Sequence, residues 1–364
     1  MAINMHKLLE GMVRVDASDL HLKVGGPPMI RMNGQLHPID HPPLEAEDTE
    51  AANTLMMPPR CREQLERDGT VDYSYGLSPT QRFRINCFHQ RGTKSLAIRK
   101  LVSKKVTLED LNLPPQLTRL AKYHRGLVLV TGPTGSGKTS TLAAIINIIN
   151  ATRREHIITI EDPIEIVYTD EKCIIDQIEV NQDVVDFKCA LRHALRQDPD
   201  IILLGELRDR ETIETAMHCV DTGHLVFSTL HTPDARQTIT RITHYFTLEE
   251  MPLILDQLSK NLQAVVCQRL VRTADGKGRV PCCEIMFNNP IIQKLIIEER
   301  IDDIQQVMRS GAEGMQTFDM HLVQLVKSER VTMEEANTVV EDEAAFRRLM
   351  KGISAGGDRG GLIG

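Results

Sequence analysis

The chain has 364 residues, enough for about two domains and for a core that needs no disulfide or metal staple. Hydrophobic residues make up 41% and charged residues 26%, which excludes a disordered, collagen-like or disulfide-knot chain. Basic residues number 43 against 50 acidic ones, for a net charge of −7, and aromatics are only 4% with no Trp. Both facts weigh against a dedicated nucleic-acid binder, which needs cations for phosphates and rings for bases.

Residues 1–101 read as a small α/β domain. Met5 to Val13 suits a short helix, and Ser18 to Val24 alternates polar and apolar side chains as a half-buried strand does. The opening Met1-Ala2-Ile3-Asn4-Met5-His6-Lys7 has no basic stretch before a long apolar core, so no signal peptide is expected. Met29 to Met32 reads as a strand, and Asn33-Gly34 marks a hairpin turn. Asp48 to Leu65 reads as helix broken at Pro58-Pro59. Strands are predicted at Val71 to Tyr75, Arg82 to His89 and Ser95 to Leu101. Residues 102–115 form a linker ending in Pro114-Pro115.

Residues 116–290 carry the α/β pattern of buried parallel strands between helices. Apolar runs fall at Gly126 to Val130, Ile157 to Ile160, Ile201 to Leu204 and Leu225 to Phe227. Helical patterns span Thr139 to Asn150, Phe187 to Arg196 and Glu211 to Val220. The last hundred residues read as mainly helical, with a helical region at 291–350 and a disordered, glycine-rich tail at 351–364. No run approaches roughly 18 apolar residues, so no membrane-spanning helix is expected. None of the eight Cys form a C-x-x-C pair, which disfavours a zinc ribbon.

Gly132-Pro133-Thr134-Gly135-Ser136-Gly137-Lys138-Thr139 matches G-x-x-x-x-G-K-[ST], between a predicted strand and a predicted helix. Glycines let the backbone wrap its N–H groups around a phosphate, and the helix adds its positive end. Lys138 reaches the β and γ phosphates of ATP and the Thr139 hydroxyl ligates Mg²⁺; Ser140 completes the nucleotide-contacting stretch. Glu161-Asp162-Pro163-Ile164-Glu165 follows a strand at the end where ligands bind in open α/β sheets. In Asp200 to Asp209 an apolar strand ends in Gly205-Glu206, and Glu206 is placed to polarise water or hold it through Mg²⁺. The bland alternative is a surface pair between Glu206 and Arg208. His224 and His231 flank the strand Leu225 to Phe227; they are either structural residues or a γ-phosphate sensor. Arg82 and Arg84 share one strand face, with Arg99 on the next strand. These arginines are either solvated charge or guanidinium groups for phosphate oxygens.

Together, the phosphate loop, TIEDPIE at 159–165, DPDIILLGELRD at 198–209 and TGHLVFSTLHT at 222–232 resemble the Walker A, Asp box, Walker B and His box of secretion-superfamily ATPases. SDLHL at 18–22 and GMQTFD at 314–319 narrow the resemblance to the PilT/PilU retraction ATPases of type IV pili. The resemblance implies a PAS-like first domain and a RecA-like second one. It implies a ring-shaped homohexamer, cytoplasmic and peripheral at the inner face of the inner membrane. Such a ring hydrolyses ATP to drive pilin disassembly and twitching motility. An inner-membrane pilus platform protein and a second retraction ATPase are the implied partners, and no nucleic acid is. By motif match Glu206 is the catalytic glutamate, Glu161 an acidic residue near the metal, His224 and His231 the His-box pair, and Arg84 and Arg99 the arginines brought to the γ-phosphate. Thr139, Glu161 and Glu206 form the implied Mg²⁺ set. One position departs: Ile297 stands where the helical C-terminal motif of PilT-type enzymes has Arg, which leans toward the accessory PilU-like branch or a divergent paralogue. The alternatives are a pilus assembly or type II secretion ATPase, a nucleic-acid translocase, and a non-hydrolysing ATP-binding scaffold.

Overall fold

A computed structural model describes residues 3–32, 34–78, 81–101 and 105–352. The expected disorder of the tail lies outside the described residues from 353 onward, as do Asn33 of the hairpin turn and 102–104 of the linker.

The first hundred residues supply helices α1 (Met5–Arg14), α2 (Ala46–Met56) and α3 (Pro59–Asp68). Their strands are β1 (Asp19–Leu22), β2 (Met29–Met32), β3 (Gln35–Pro38), β4 (Thr70–Ser78), β5 (Gln81–Gln90) and β6 (Thr93–Lys100). The strands form one sheet in the order β3-β2-β1-β6-β5-β4, with every described pairing antiparallel. The predicted hairpin is present: Met32 pairs with Gln35, and Gly34 has φ 83°. Alternation decides the two faces. Leu20, Leu22, Phe83, Ile85, Cys87, Leu96 and Ile98 join Met5, Leu9, Met12, Met56 and Leu65 in one core. Asp19, Arg84 and Arg99 occupy the alternate positions.

The remainder of the chain supplies β7 (Gly126–Thr131), α4 (Lys138–Thr152), β8 (His156–Glu161), β9 (Ile174–Glu179), α5 (Phe187–Ala194), β10 (Ile201–Leu204), α6 (Arg210–Asp221), β11 (Leu225–Leu230), α7 (Ala235–Thr243) and α8 (Met251–Asn261). It continues with β12 (Leu262–Arg272), β13 (Arg279–Phe287), α9 (Pro290–Ile297), α10 (Ile304–Arg309), α11 (Phe318–Lys327), α12 (Met333–Val339) and α13 (Glu343–Met350). The second sheet runs β13-β12-β7-β11-β10-β8-β9. Its middle is parallel, and β12 and β13 form an antiparallel hairpin at one edge. Strands β7, β10 and β11 are buried at every residue, as a sheet covered on both faces requires.

The described part of the last hundred residues is mainly helical, as expected, but it opens with the β12–β13 hairpin, which the sequence did not reveal. Strand β12 follows α8 with no intervening turn and is buried on both faces, so its apolar run carries no change of period. Strand β9 was not anticipated either. The chain packs as two compact units. The first comprises Met1–Lys104, Glu161–Thr169 and Gln177–Ala190; the second comprises Lys105–Ile160, Asp170–Asp176 and Leu191–Gly364. The first unit thus takes in two short stretches from far along the chain.

Candidate active site

In the second unit, β7 runs directly into the glycine-rich loop, and α4 begins at Lys138 with Gly137 as its N-cap at φ 91°. Two of the three loop glycines are required by a neighbour as well as by their backbone angles. A Cβ on Gly132 (φ 138°) would lie 2.2 Å from the Gln268 carbonyl oxygen, and one on Gly137 would lie 2.8 Å from Gln268 Nε2. Gly135 (φ 76°) has open space around it and is needed for its angle alone. Gln268 is buried beside the loop because Cys267 pairs with Thr131, which puts the next residue of β12 level with Gly132. Its amide donates to the Ser136 carbonyl at 2.6 Å and accepts from the Thr141 hydroxyl at 2.7 Å, tying the loop to the first turn of α4. Sequence reasoning missed Gln268. A lone glutamine on a strand so far along the chain carries no local signal.

Strand register builds the polar end of the site. Leu230 pairs with Thr131 and Leu204 with Ser228, so His231 and Glu206 emerge at the same sheet edge as the loop. Lys138 Nζ donates to the carbonyls of Gly132 (2.9 Å) and Pro133 (3.1 Å) and lies 3.5 Å from His231 Nδ1. His231 Nε2 is 3.1 Å from Glu206 Oε1. An ammonium can only donate, so Nδ1 accepts and the ring proton sits on Nε2, facing the carboxylate. Arg208 Nε donates to Glu206 Oε2 at 2.8 Å, so the surface pair anticipated as the bland reading also exists. A cavity of about 350 Å³ adjoins this chain of groups, lined by Glu206, Arg208, His231, Thr232, Arg241 and Tyr245 among others.

His224 is not brought to this cluster. It precedes Leu225, which pairs with Gly126, so it lies at the opposite end of β11 from His231, about 20 Å away at the usual strand rise. Its Nδ1 is occupied by the Cys219 carbonyl (2.9 Å) and the Thr222 hydroxyl (3.0 Å). Within this unit His231 meets the loop, whereas His224 sits at the far edge with Cys219 and Thr222.

In the first unit, Arg84 and Arg99 face each other directly across β5 and β6. Like charges opposed on a sheet are destabilising. Carboxylates on the flanks offset this: Arg99 Nε donates to Asp19 Oδ1 at 2.8 Å, and Arg84 Nε is 3.5 Å from Asp72 Oδ1. Burial would raise the Asp19 carboxyl, but the Arg99 and Ser18 hydrogen bonds outweigh it and hold it below the usual range. Arg82 is engaged differently. Its Nη2 donates to the Ser74 hydroxyl at 3.1 Å and lies 3.7 Å from Glu179 Oε2, so the chain itself supplies its anion. Glu161 closes β8 and is only 6% exposed, and the Gln177 amide donates to its Oε1 at 3.3 Å.

The loop fits a nucleoside polyphosphate. Gly132 and Gly137 have no room for a side chain, and the buried Ser136 hydroxyl has no hydrogen-bond partner in the protein. Among the described residues no three His, Cys, Asp or Glu side chains converge as a metal cage. Mg²⁺ in a phosphate site instead relies on one hydroxyl, phosphate oxygens and water, and Thr139 in the first turn of α4 fits that donor set. Among the described residues no helix is long and apolar enough to cross a membrane.

The family model for type II/IV secretion system proteins matches residues 1–358. The chain is 43% identical to the type IV pilus retraction ATPase PilT of Pseudomonas aeruginosa over 335 residues, covering 92% of this chain and 97% of the relative. It is 37% identical to the type IV pilus ATPase PilU of the same organism over 350 residues, covering 96% of this chain and 92% of the relative. A crystal structure of the pilus retraction motor PilT with bound ADP superposes with a TM-score of 0.87 at 40% identity, covering 95% of this chain and 99% of that one.

Proposed function

The chain belongs to the type II/IV secretion system protein family, and on that premise we infer that it is an ATP-hydrolysing motor that powers type IV pilus retraction and twitching motility. The observation that carries the chemistry is the run Lys138–His231–Glu206 at the mouth of the phosphate loop. The loop amides and Lys138 bind the phosphates of ATP. Thr139 would hold Mg²⁺, with Glu206 and Glu161 the further acidic candidates, and the ion would supply positive charge to the phosphate oxygens. Glu206 orients water for attack and accepts its proton. His231 spans Lys138 and Glu206, so it registers whether the lysine is drawn to a γ-phosphate and passes that to the carboxylate. Arg84 and Arg99 are the guanidinium groups suited to charge on a γ-phosphate. Their direct opposition on the sheet, held by Asp19 and Asp72, supports this: an unfavourable cation pair is kept where an anion relieves it.

The working form is a homohexameric ring, cytoplasmic and peripheral at the inner membrane, engaging a pilus platform protein and a second retraction ATPase. Ile297 ends α9 and is 53% exposed, so a substitution there alters a surface and leaves the site intact.

The test is Glu206→Gln. Turnover should fall about 10²–10⁴-fold while ADP affinity stays at the wild-type value, and wild-type turnover would remove Glu206 from the mechanism. In a strain lacking the gene, excess pili without twitching, rescued by the wild type and not by Glu206→Gln, supports retraction. Loss of pili would point to an extension motor.

A further inference from the structure

Glu179 belongs to none of the four motifs, yet it is 1% exposed and joins three stretches of the first unit. The Ser74 hydroxyl of β4 lies 2.7 and 2.6 Å from its two oxygens. Arg82 of β5 donates to that hydroxyl and stands 3.7 Å from Glu179 Oε2. The Ile164 backbone N–H, three residues after Glu161, points at Oε2 at 3.3 Å. Two residues back along β9, Gln177 donates to Glu161 Oε1 (3.3 Å) and to the Ile166 carbonyl (2.9 Å), and it accepts from the Tyr168 N–H (2.9 Å). Val180 N–H donates to the Glu161 carbonyl at 2.8 Å. The acidic segment that starts at Glu161 is therefore clamped along β9, and β9 is clamped to the β4–β5 hairpin at one buried carboxylate.

We propose that Glu179, gripped by Ser74 and Arg82, is a positioning residue that sets the aim of Glu161. Burying a carboxylate is costly unless it is fully hydrogen-bonded, and the run Arg82→Ser74→Glu179 is a polar chain whose members strengthen one another. Simple packing could be met by an apolar side chain of similar volume at less cost. Burial also raises the Glu179 carboxyl above its usual range, so burial alone disfavours the charged carboxylate that Ser74 and Arg82 hold. In this arrangement Arg82 acts as a structural tether, distinct from the phosphate-directed pair Arg84 and Arg99.

This inference rests on the reading of Glu161 as a site residue, so the experiment carries a control for each. ATPase kinetics are measured on the full chain carrying Glu179→Ala, Glu179→Gln, Ser74→Ala and Glu161→Gln. Glu179→Ala should lower kcat about 10²-fold, as expected for a catalytic group displaced by roughly 1 Å, with KM for ATP unchanged. Glu179→Gln still accepts from Ser74, so it should keep most of kcat and melt no lower than the wild type. Ser74→Ala removes only the hydroxyl and should lower kcat less, again at constant KM; it decides the matter if Glu179→Ala does not fold. The double change Glu161→Gln with Glu179→Ala should be no slower than Glu161→Gln alone, because the two act through one group. Wild-type kcat in Ser74→Ala, or in a folded Glu179→Ala, beside a slow Glu161→Gln overturns the proposal and leaves Glu161 in place. Wild-type turnover in Glu161→Gln removes the Glu161 reading instead.

Discussion

The phosphate loop and the arginine face, the two regions proposed to meet an anion, are built in opposite ways. The loop is a backbone feature: its shape is set by glycine angles and by Gln268 pressing from β12, and few charges are involved. The arginine face is an exposed side-chain feature. Two like charges stand opposed, with Arg99 69% exposed at its side chain, and Asp19 and Asp72 hold them from the flanks. A backbone cradle keeps its form with or without the anion. A charged side-chain face is screened, adjustable and weak until an anion arrives. Under the proposed function the first region binds the phosphates and the second meets the charge that builds on them.

The sharpest way to break this contrast is Gly132→Ala. Its methyl would lie 2.2 Å from the Gln268 carbonyl, so the variant should lose ADP binding and about 1–3 kcal/mol of stability from overpacking, seen by calorimetry. Gly135→Ala meets no neighbour and should cost only the left-handed strain of about 1–2 kcal/mol. Equal effects at the two glycines would mean that Gln268 does not shape the loop.

The arginine side predicts the reverse profile. Arg99→Ala should lower kcat about 10²-fold with little change in melting temperature, because its partner Asp19 keeps Ser18 and lies near Arg31. A fall in stability that matches the fall in turnover would make Arg99 structural.

The two histidines offer a smaller test within the second unit. His231→Ala should slow turnover on the order of tenfold or more, as loss of a group touching a general base does. His224→Ala should alter stability modestly and leave the chemistry of a single unit unchanged, and identical turnover losses would undo the separation.

The smallest effect concerns pH. Glu284 in β13 is pushed up to about 7, first by burial, with Asp234 and Glu341 adding to it against the hydrogen bond from Ala235. Asp19 on the arginine face is held low instead. A raised carboxyl pKa means stability that is fully present below the unfolded value of 4.5 and lost as pH rises through about 7. Glu284→Gln should therefore melt higher than the wild type at pH 8, by roughly 2–4 °C per kcal/mol, and the gap should close by pH 5. The buried His321, lowered to about 4 chiefly by burial, slopes the other way, losing stability as pH falls from 6.5 toward 4. The difference between the two proteins at each pH isolates Glu284.

Much of this was legible from residues alone, for a local reason. A phosphate loop is one short stretch whose glycines, lysine and threonine act through their own backbone. The strands β7, β8, β10 and β11 announce themselves by short apolar runs between helical patterns. Alternation alone put Arg82 and Arg84 on one face. The β12–β13 hairpin was hidden because a doubly buried strand continuing straight from a helix changes no period. Gln268 and Glu179 were hidden because their partners lie far along the chain, at Ser136 and Thr141 for one and at Ser74 and Arg82 for the other.

Residue order by itself thus determined which groups this protein has for handling a nucleotide, because hydrogen-bonding capacity, charge and backbone freedom belong to each residue. Register and packing decided which of those groups meet. They set His231 beside Lys138 and Glu206 and sent His224 to the other end of the same strand. They gave Arg82 an anion of its own while leaving Arg84 opposed to Arg99. Strand pairing is a relation between distant segments, settled by the burial of whole faces, and no short stretch of sequence holds it.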